Sequence, residues 1–251
     1  MSNFLYCVLG IMIPFIGTSL GSSFVFFLKE KLNKNIEKLL IGFAIGVMIA
    51  ASIWSLLIPS INLSNNMGKL SFIPASIGFI VGIVFLIVIN KVSDRFEKNG
   101  KIDMLLFSVT IHNIPEGMAV GVIFAGFLSK TGSVSLIDAM LLSLGIALQN
   151  IPEGAIISMP LKLKGKNKCK SFIYGMLSGI VEPIFAFITI VLLNLVVPLL
   201  PYLLSFAAGA MMHVVIEELV PQMHENKNGS VGIIGVMLGF VIMMILDVTL
   251  G

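Results

Sequence analysis

His112-Asn113-Ile114-Pro115-Glu116-Gly117 returns, with one change, as Gln149-Asn150-Ile151-Pro152-Glu153-Gly154. Each copy lies inside an apolar stretch, roughly residues 104–128 and 134–160. A transmembrane helix needs about 20 mostly apolar residues, and both stretches exceed that. Lipid offers no partner to an unpaired backbone group, so such spans must be helical. The reading that decides the fold is therefore an antiparallel pair of membrane helices, each with a glutamate at mid-depth.

Outward from this pair, six more stretches qualify as spans: roughly 3–28, 39–61, 71–90, 171–196, 199–221 and 231–250. The 251-residue chain is 57% hydrophobic and 12% charged, with a mean hydropathy of +1.04. A soluble domain carries about 25% charged residues. The expectation is an all-α membrane protein of eight transmembrane helices, one polytopic domain over residues 1–251 with lipid as its surroundings. The net charge of +3 is too small to suggest nucleic acid. The first run has no basic stretch before it and reads as a permanent helix, not a cleaved signal. Cys7 and Cys169 fall at opposite membrane faces, so no disulfide is expected.

Orientation follows from the basic residues. Lys29, Lys31, Lys34 and Lys38 lie between spans 1 and 2, and Lys91, Arg95, Lys98 and Lys101 between spans 3 and 4. Lys162, Lys164, Lys166, Lys168 and Lys170 lie between spans 5 and 6, and Lys227 between spans 7 and 8. Fourteen of the sixteen basic residues thus share one face, with only Lys69 and Lys130 on the other. The excess marks the cytoplasm, which leaves both termini outside a cell membrane. A fainter echo links Phe43–Met48 on span 2 with Phe206–Met211 on span 7. Inverted repeats around a central span 4/span 5 pair are a recurring transporter design.

Glu116, Glu153, Glu182, Glu217 and Glu218 fall within apolar spans, whereas every Lys and Arg lies in a loop or at a span end. A carboxylate at a helix centre costs about 2.5–3.5 kcal/mol on insertion scales. With no basic residue at that depth, the compensating charge is a proton or a bound cation. His112 and Glu116 are four residues apart on one helix face, as are Gln149 and Glu153. Antiparallel packing sets His112 beside Glu153 and Glu116 beside Gln149, with Glu182 level with them. Asn113 and Asn150 occupy an adjoining strip. Pro115 and Pro152 each remove a helical hydrogen bond, freeing the carbonyls of Ile111 and Leu148. One imidazole with carboxylates and amides suits zinc, iron, manganese or cadmium without ranking them. His213 and Glu217, four residues apart on span 7, are candidates for an exit step, with Glu218 and His224 weaker ones. Asp138 and Asp247 read first as solvated helix ends and second as cation-attracting groups at an entrance; Met48 and Met211 read first as packing residues and second as contacts for a passing metal.

The paired His-Asn-x-Pro-Glu-Gly and Gln-Asn-x-Pro-Glu-Gly motifs resemble the ZIP (Zrt/Irt-like) metal-transporter family, and Glu182-Pro183 resembles its prokaryotic, GufA-like group. Eight spans with both termini outside match as well. The resemblance implies zinc foremost as cargo, uptake into the cytoplasm by one helix bundle sliding against another, and a homodimer. It also implies two metal positions, one of His112, Glu116, Gln149, Glu153 and Glu182, the other of Asn113, Glu116, Asn150 and Glu153. Many members have His at the position of Gln149, some relatives have Asp at that of Asn150, and the His-rich cytosolic loop of eukaryotic members is missing here. Two other classes compete. An intramembrane metal-dependent hydrolase lacks support from the zincin spacing His-Glu-x-x-His, which is absent. A proton-coupled carrier of an organic substrate explains the glutamates but not the repeated polar shell. No enzyme and no catalytic cofactor are expected.

Overall fold

The computed structural model describes residues 3–27, 33–97, 104–129, 134–163, 165–224 and 229–250, with the side chains of 93–97, 104–112, 160, 163, 193, 229 and 250 outside the description. Among these residues the fold is all-helical. In chain order the helices are α1 (Asn3–Phe27), α2 (Lys34–Ala51), α3 (Ile58–Leu63), α4 (Phe72–Glu97), α5 (Met104–Leu128) and α6 (Leu136–Leu163). They continue as α7 (Lys168–Ser178), α8 (Val181–Val191), α9 (Leu193–Val196), α10 (Leu200–Val214), α11 (Val220–His224) and α12 (Gly229–Leu250). Seven helical stretches are long and apolar enough to cross a membrane: Asn3–Phe27, Lys34–Leu63, Phe72–Val92, Leu136–Met159, Lys168–Val191, Asn194–His224 and Ser230–Thr249. Between the third and fourth of these lies α5, whose fully described apolar part is Asn113–Leu128.

Several expected spans are not single α-helices, and prolines explain where they change. The expected sixth span breaks between α7 and α8 at Gly179–Ile180. Pro183 has no amide hydrogen and crowds the carbonyl of Gly179 four residues back. The break leaves Glu182 in the first turn of α8, at the positive end of a half-helix. The expected second and seventh spans each carry a π-helical segment, Ser52–Leu57 and Val215–Leu219. In both, the amide that ends the segment reaches five residues back, Ile58 to Ile53 and Val220 to Val215. Pro59 and Pro221 follow directly and cannot donate to Ser55 and Glu217, which disfavours the α register there. The register that lays Phe43 on Phe206 also lays Ser52 on Val215, so the two π segments start at matching positions.

The long helices sort into two groups by packing. α1 lies along α6, α5 along α8, and α7 against both α1 and α6. In the second group α2 lies along α12 and α4 along α10. The groups meet where α2 touches α6 and α10 touches α5. Close backbone approach holds the pairs together, as expected where lipid removes the hydrophobic drive between helices. A Cβ on Gly239 would strike the carbonyl oxygen of Phe43, and one on Gly82 that of Phe206. Phe43 and Phe206 are the first residues of the two echoing segments. The buried apolar core includes Met48, Leu56, Phe124, Ile146 and Met211. Cys7 is buried and Cys169 exposed, each a free thiol.

Candidate metal site

The two motifs meet at mid-length of α5 and α6, with Glu116, Gln149 and Glu153 turned toward α2 and α10 and the two asparagines toward α1, α7 and α8. Gln149 Nε2 donates to Glu116 Oε1 at 2.7 Å. Asn150 Nδ2 donates to Glu182 Oε2 at 2.8 Å and to the carbonyl of Pro14 at 3.3 Å. Asn113 Nδ2 donates to the carbonyl of Ser178 at 3.1 Å. Asn113, Glu116, Gln149, Asn150 and Glu182 are each at most 2% exposed; Glu153 is half-buried. The side chain of His112 lies outside the described residues, so of that candidate only its backbone position on α5, one turn before Glu116, is on view.

These bonds spend the amide hydrogens and leave oxygens over. Asn113 Oδ1, Glu116 Oε2, Gln149 Oε1, Asn150 Oδ1 and Glu153 Oε1 are buried with no hydrogen-bond partner. Five orphaned acceptors within two six-residue motifs are far from the usual case, since buried polar groups nearly always find a donor. All five are lone-pair donors to a cation, and none is a proton donor. Glu182 differs, because both of its oxygens are used. Oε2 takes the Asn150 amide, and Oε1 takes the Thr18 hydroxyl at 3.4 Å. Among the described residues, no three His, Cys, Asp or Glu side chains group closely enough to hold a metal by themselves.

A cavity of about 50 Å³ opens on this cluster. Glu116, Gln149 and Glu153 line one end, Glu218 and Gln222 the other, with Ala44, Met48 and Val214 between. His213 and Glu217 are not on it. His213 Nε2 faces Asn90 Nδ2 of α4 at 3.3 Å, and Glu217 is exposed. The reason is a stripe at i, i+4: Gly209, which presses on the backbone of Phe79 in α4, is followed by His213 and then Glu217. The residue that faces Glu153 is Glu218. Met48, read first as a packing residue, lines the cavity, whereas Met211 is core. His224 is exposed at the end of α11, its Nδ1 on the carbonyl of Val220.

Of the two acidic residues at the other end, Asp138 sits at a helix start as expected, whereas Asp247 is not a solvated helix end. Asp247 is half-buried, its Oδ1 accepting from Ser55 Oγ of the first π segment at 2.7 Å and its Oδ2 unpartnered. Packing of α12 along α2 covers it. Asp138 caps α6: its Oδ2 accepts from the Ser135 amide at 2.8 Å, while Ser135 Oγ accepts from the Asp138 amide at 3.1 Å. This reciprocal cap satisfies two amides of the helix start. Asp138 also lines a separate cavity of about 520 Å³ with Asn62, Pro59 and Ile123. Thr18 was not singled out from the sequence. Its signal is a polar stripe with Ser22, four residues on, in an otherwise apolar run.

The family model described as ZIP Zinc transporter matches residues 102–247, which include both motifs, Glu182 and the second π segment. "Zinc transporter ZIP11" of Xenopus tropicalis is 33% identical, covering 100% of this chain and 98% of the relative. "Zinc transporter ZIPB" of Bordetella bronchiseptica is 28% identical over 98% of this chain and 82% of its own length. "Zinc transporter GufA" of Myxococcus xanthus is 33% identical over 59% of this chain and 56% of its own. The chain belongs to the ZIP zinc transporter family, alongside its GufA-like members.

Proposed function

We propose that the chain carries divalent transition-metal ions across a cell membrane into the cytoplasm, with zinc foremost and iron, manganese and cadmium as further cargo. The observation that carries this reading is the set of five buried oxygens without donors on the paired motifs. A cation takes several such oxygens at once; a proton answers one. Asn113, Glu116, Gln149, Asn150 and Glu153 are the donors, with both glutamates shared if two ions bind, and His112 adds a nitrogen from the turn before Glu116. Glu182 closes the same cluster. The zinc transporters to which the chain is related support the choice of cargo.

The same proposal includes eight spans, inverted repeats about the α5/α6 pair, and both termini outside. Matching π segments, matching glycine contacts at Gly82 and Gly239, and matching amide bonds from Asn113 and Asn150 to carbonyls of α7 and α1 support the repeats. The cavity leads from the cluster to Glu218 and Gln222, the end of span 7 that the basic residues assign to the cytoplasm. It supports release through Glu218 on the inner side. A homodimer remains an expectation from the family.

Metal uptake into proteoliposomes tests the reading directly. Flux of zinc or a related ion is expected; hydrolytic activity without flux would overturn it. Two variants sharpen the test. Glu218→Gln lowers the initial rate about tenfold, as loss of one charged group from the path should, while Glu217→Gln stays within twofold of wild type. Gln149→His replaces an amide oxygen by an imidazole and raises the preference for zinc over manganese about tenfold, read in a competition assay.

A further inference from the structure

The hydrogen bonds around Glu182 set it apart from the two motif glutamates. Glu116 and Glu153 each keep a buried oxygen without a partner, whereas Glu182 keeps none. Its carboxylate also sits in the first turn of α8, where the helix dipole favours a negative charge. Its described partners are thus hydrogen-bond donors of the protein itself. What it holds in return is the amide of Asn150, whose second hydrogen goes to the carbonyl of Pro14. With both hydrogens bound, Asn150 can only turn Oδ1 inward, and Oδ1 is one of the five orphaned oxygens.

We propose that Thr18 and Glu182 act as positioning residues, fixing the Asn150 amide so that its oxygen, not its NH2 group, is presented to the ion. The inference rests on the metal-transport reading above and adds α1 to the machinery of the site. Thr18 is fully buried, and its one hydroxyl hydrogen is shared between Glu182 Oε1 and the carbonyl of Pro14, each at 3.4 Å. Its Cβ packs against the backbone of Gly179 at the α7–α8 break, beside Glu182. Without the hydroxyl, Glu182 Oε1 loses its donor, and the carboxylate is free to turn away from Asn150. The amide can then rotate and offer a donor where a cation needs an acceptor.

Thr18→Val tests this, because valine keeps the branched shape that packs on Gly179 and removes only the hydroxyl. In reconstituted uptake of zinc, KM is expected to rise about three- to tenfold with Vmax within twofold of wild type, the size of one lost hydrogen bond. Thr18→Ser, which restores the donor, returns KM to within twofold. In an Asn150→Ala background the Thr18→Val effect disappears, since the hydroxyl then has no amide to hold; this non-additivity separates positioning from packing. A Thr18→Val protein with wild-type KM, or an effect that persists undiminished beside Asn150→Ala, overturns the inference while leaving transport intact. A wild-type protein that moves no metal overturns the transport reading itself, and this inference with it.

Discussion

Glutamine at position 116 will abolish metal uptake while the protein folds and purifies as the wild type does. The substitution is isosteric, and its amide oxygen still accepts the 2.7 Å bond from Gln149 Nε2. The change falls on the other atom. Oε2, buried and unpartnered, becomes an NH2 group whose hydrogens point into the cluster. A cation at that point meets two donors in place of a lone pair and loses a full negative charge. Loss of groups that merely support a metal ligand costs about 10- to 100-fold in affinity, so loss of the ligand itself should exceed about 100-fold. The expected result is zinc uptake at background level beside an unchanged gel-filtration profile and thermal midpoint. Retention of more than about a tenth of the wild-type rate would remove Glu116 from the site.

Gly21→Leu is expected to act on the fold with comparable force. A Cβ at Gly21 would strike the carbonyl oxygen of Ile151, inside the second motif. The contact has a reciprocal partner, because a Cβ at Gly154 would strike the carbonyl of Thr18. The α1–α6 seam is thus backbone on backbone over the stretch that carries Asn150, Glu153 and Thr18. Overpacking in a core costs about 1–3 kcal/mol when side chains can shift, and a helix carbonyl cannot. Leucine must push the helices apart, and with them the Asn150 amide from Pro14. A thermal midpoint lowered by at least about 10 °C in detergent is expected, with little folded protein recovered. Gly68→Asn is the control: Gly68 has a φ of 57° and open space around it, and asparagine tolerates that backbone. A Gly21→Leu protein as stable as this control would show that the seam has slack the backbone contacts deny.

Much of the site is legible without coordinates because a membrane removes alternatives. A carboxylate in an apolar helix has few ways to be accommodated, so Glu116, Glu153 and Glu182 stand out on charge alone. The spacing of four residues puts each motif on one face, and antiparallel pairing brings Glu116 to Gln149, where the 2.7 Å bond is found. Span 7 is harder. His213 and Glu217 share a stripe, but spacing alone does not say which neighbour the stripe meets. The backbone contact at Gly209 turns it toward α4, and Glu218, a residue later, faces the cavity instead.

What the sequence by itself determined is the helical membrane architecture, the paired proline-bearing motifs and the depth of their polar groups. These depend on local composition, on proline's missing amide and on the cost of charge in lipid, all readable residue by residue. Only the tertiary structure decided which way each polar group turns. Long-range contacts set that: Pro14 and Ser178 fix the two asparagine amides, Thr18 engages Glu182, and the proline-linked π segments set the face of Glu218. An amide can present an oxygen or two hydrogens with equal ease, and the partners that choose between them lie on other helices, far away in the chain.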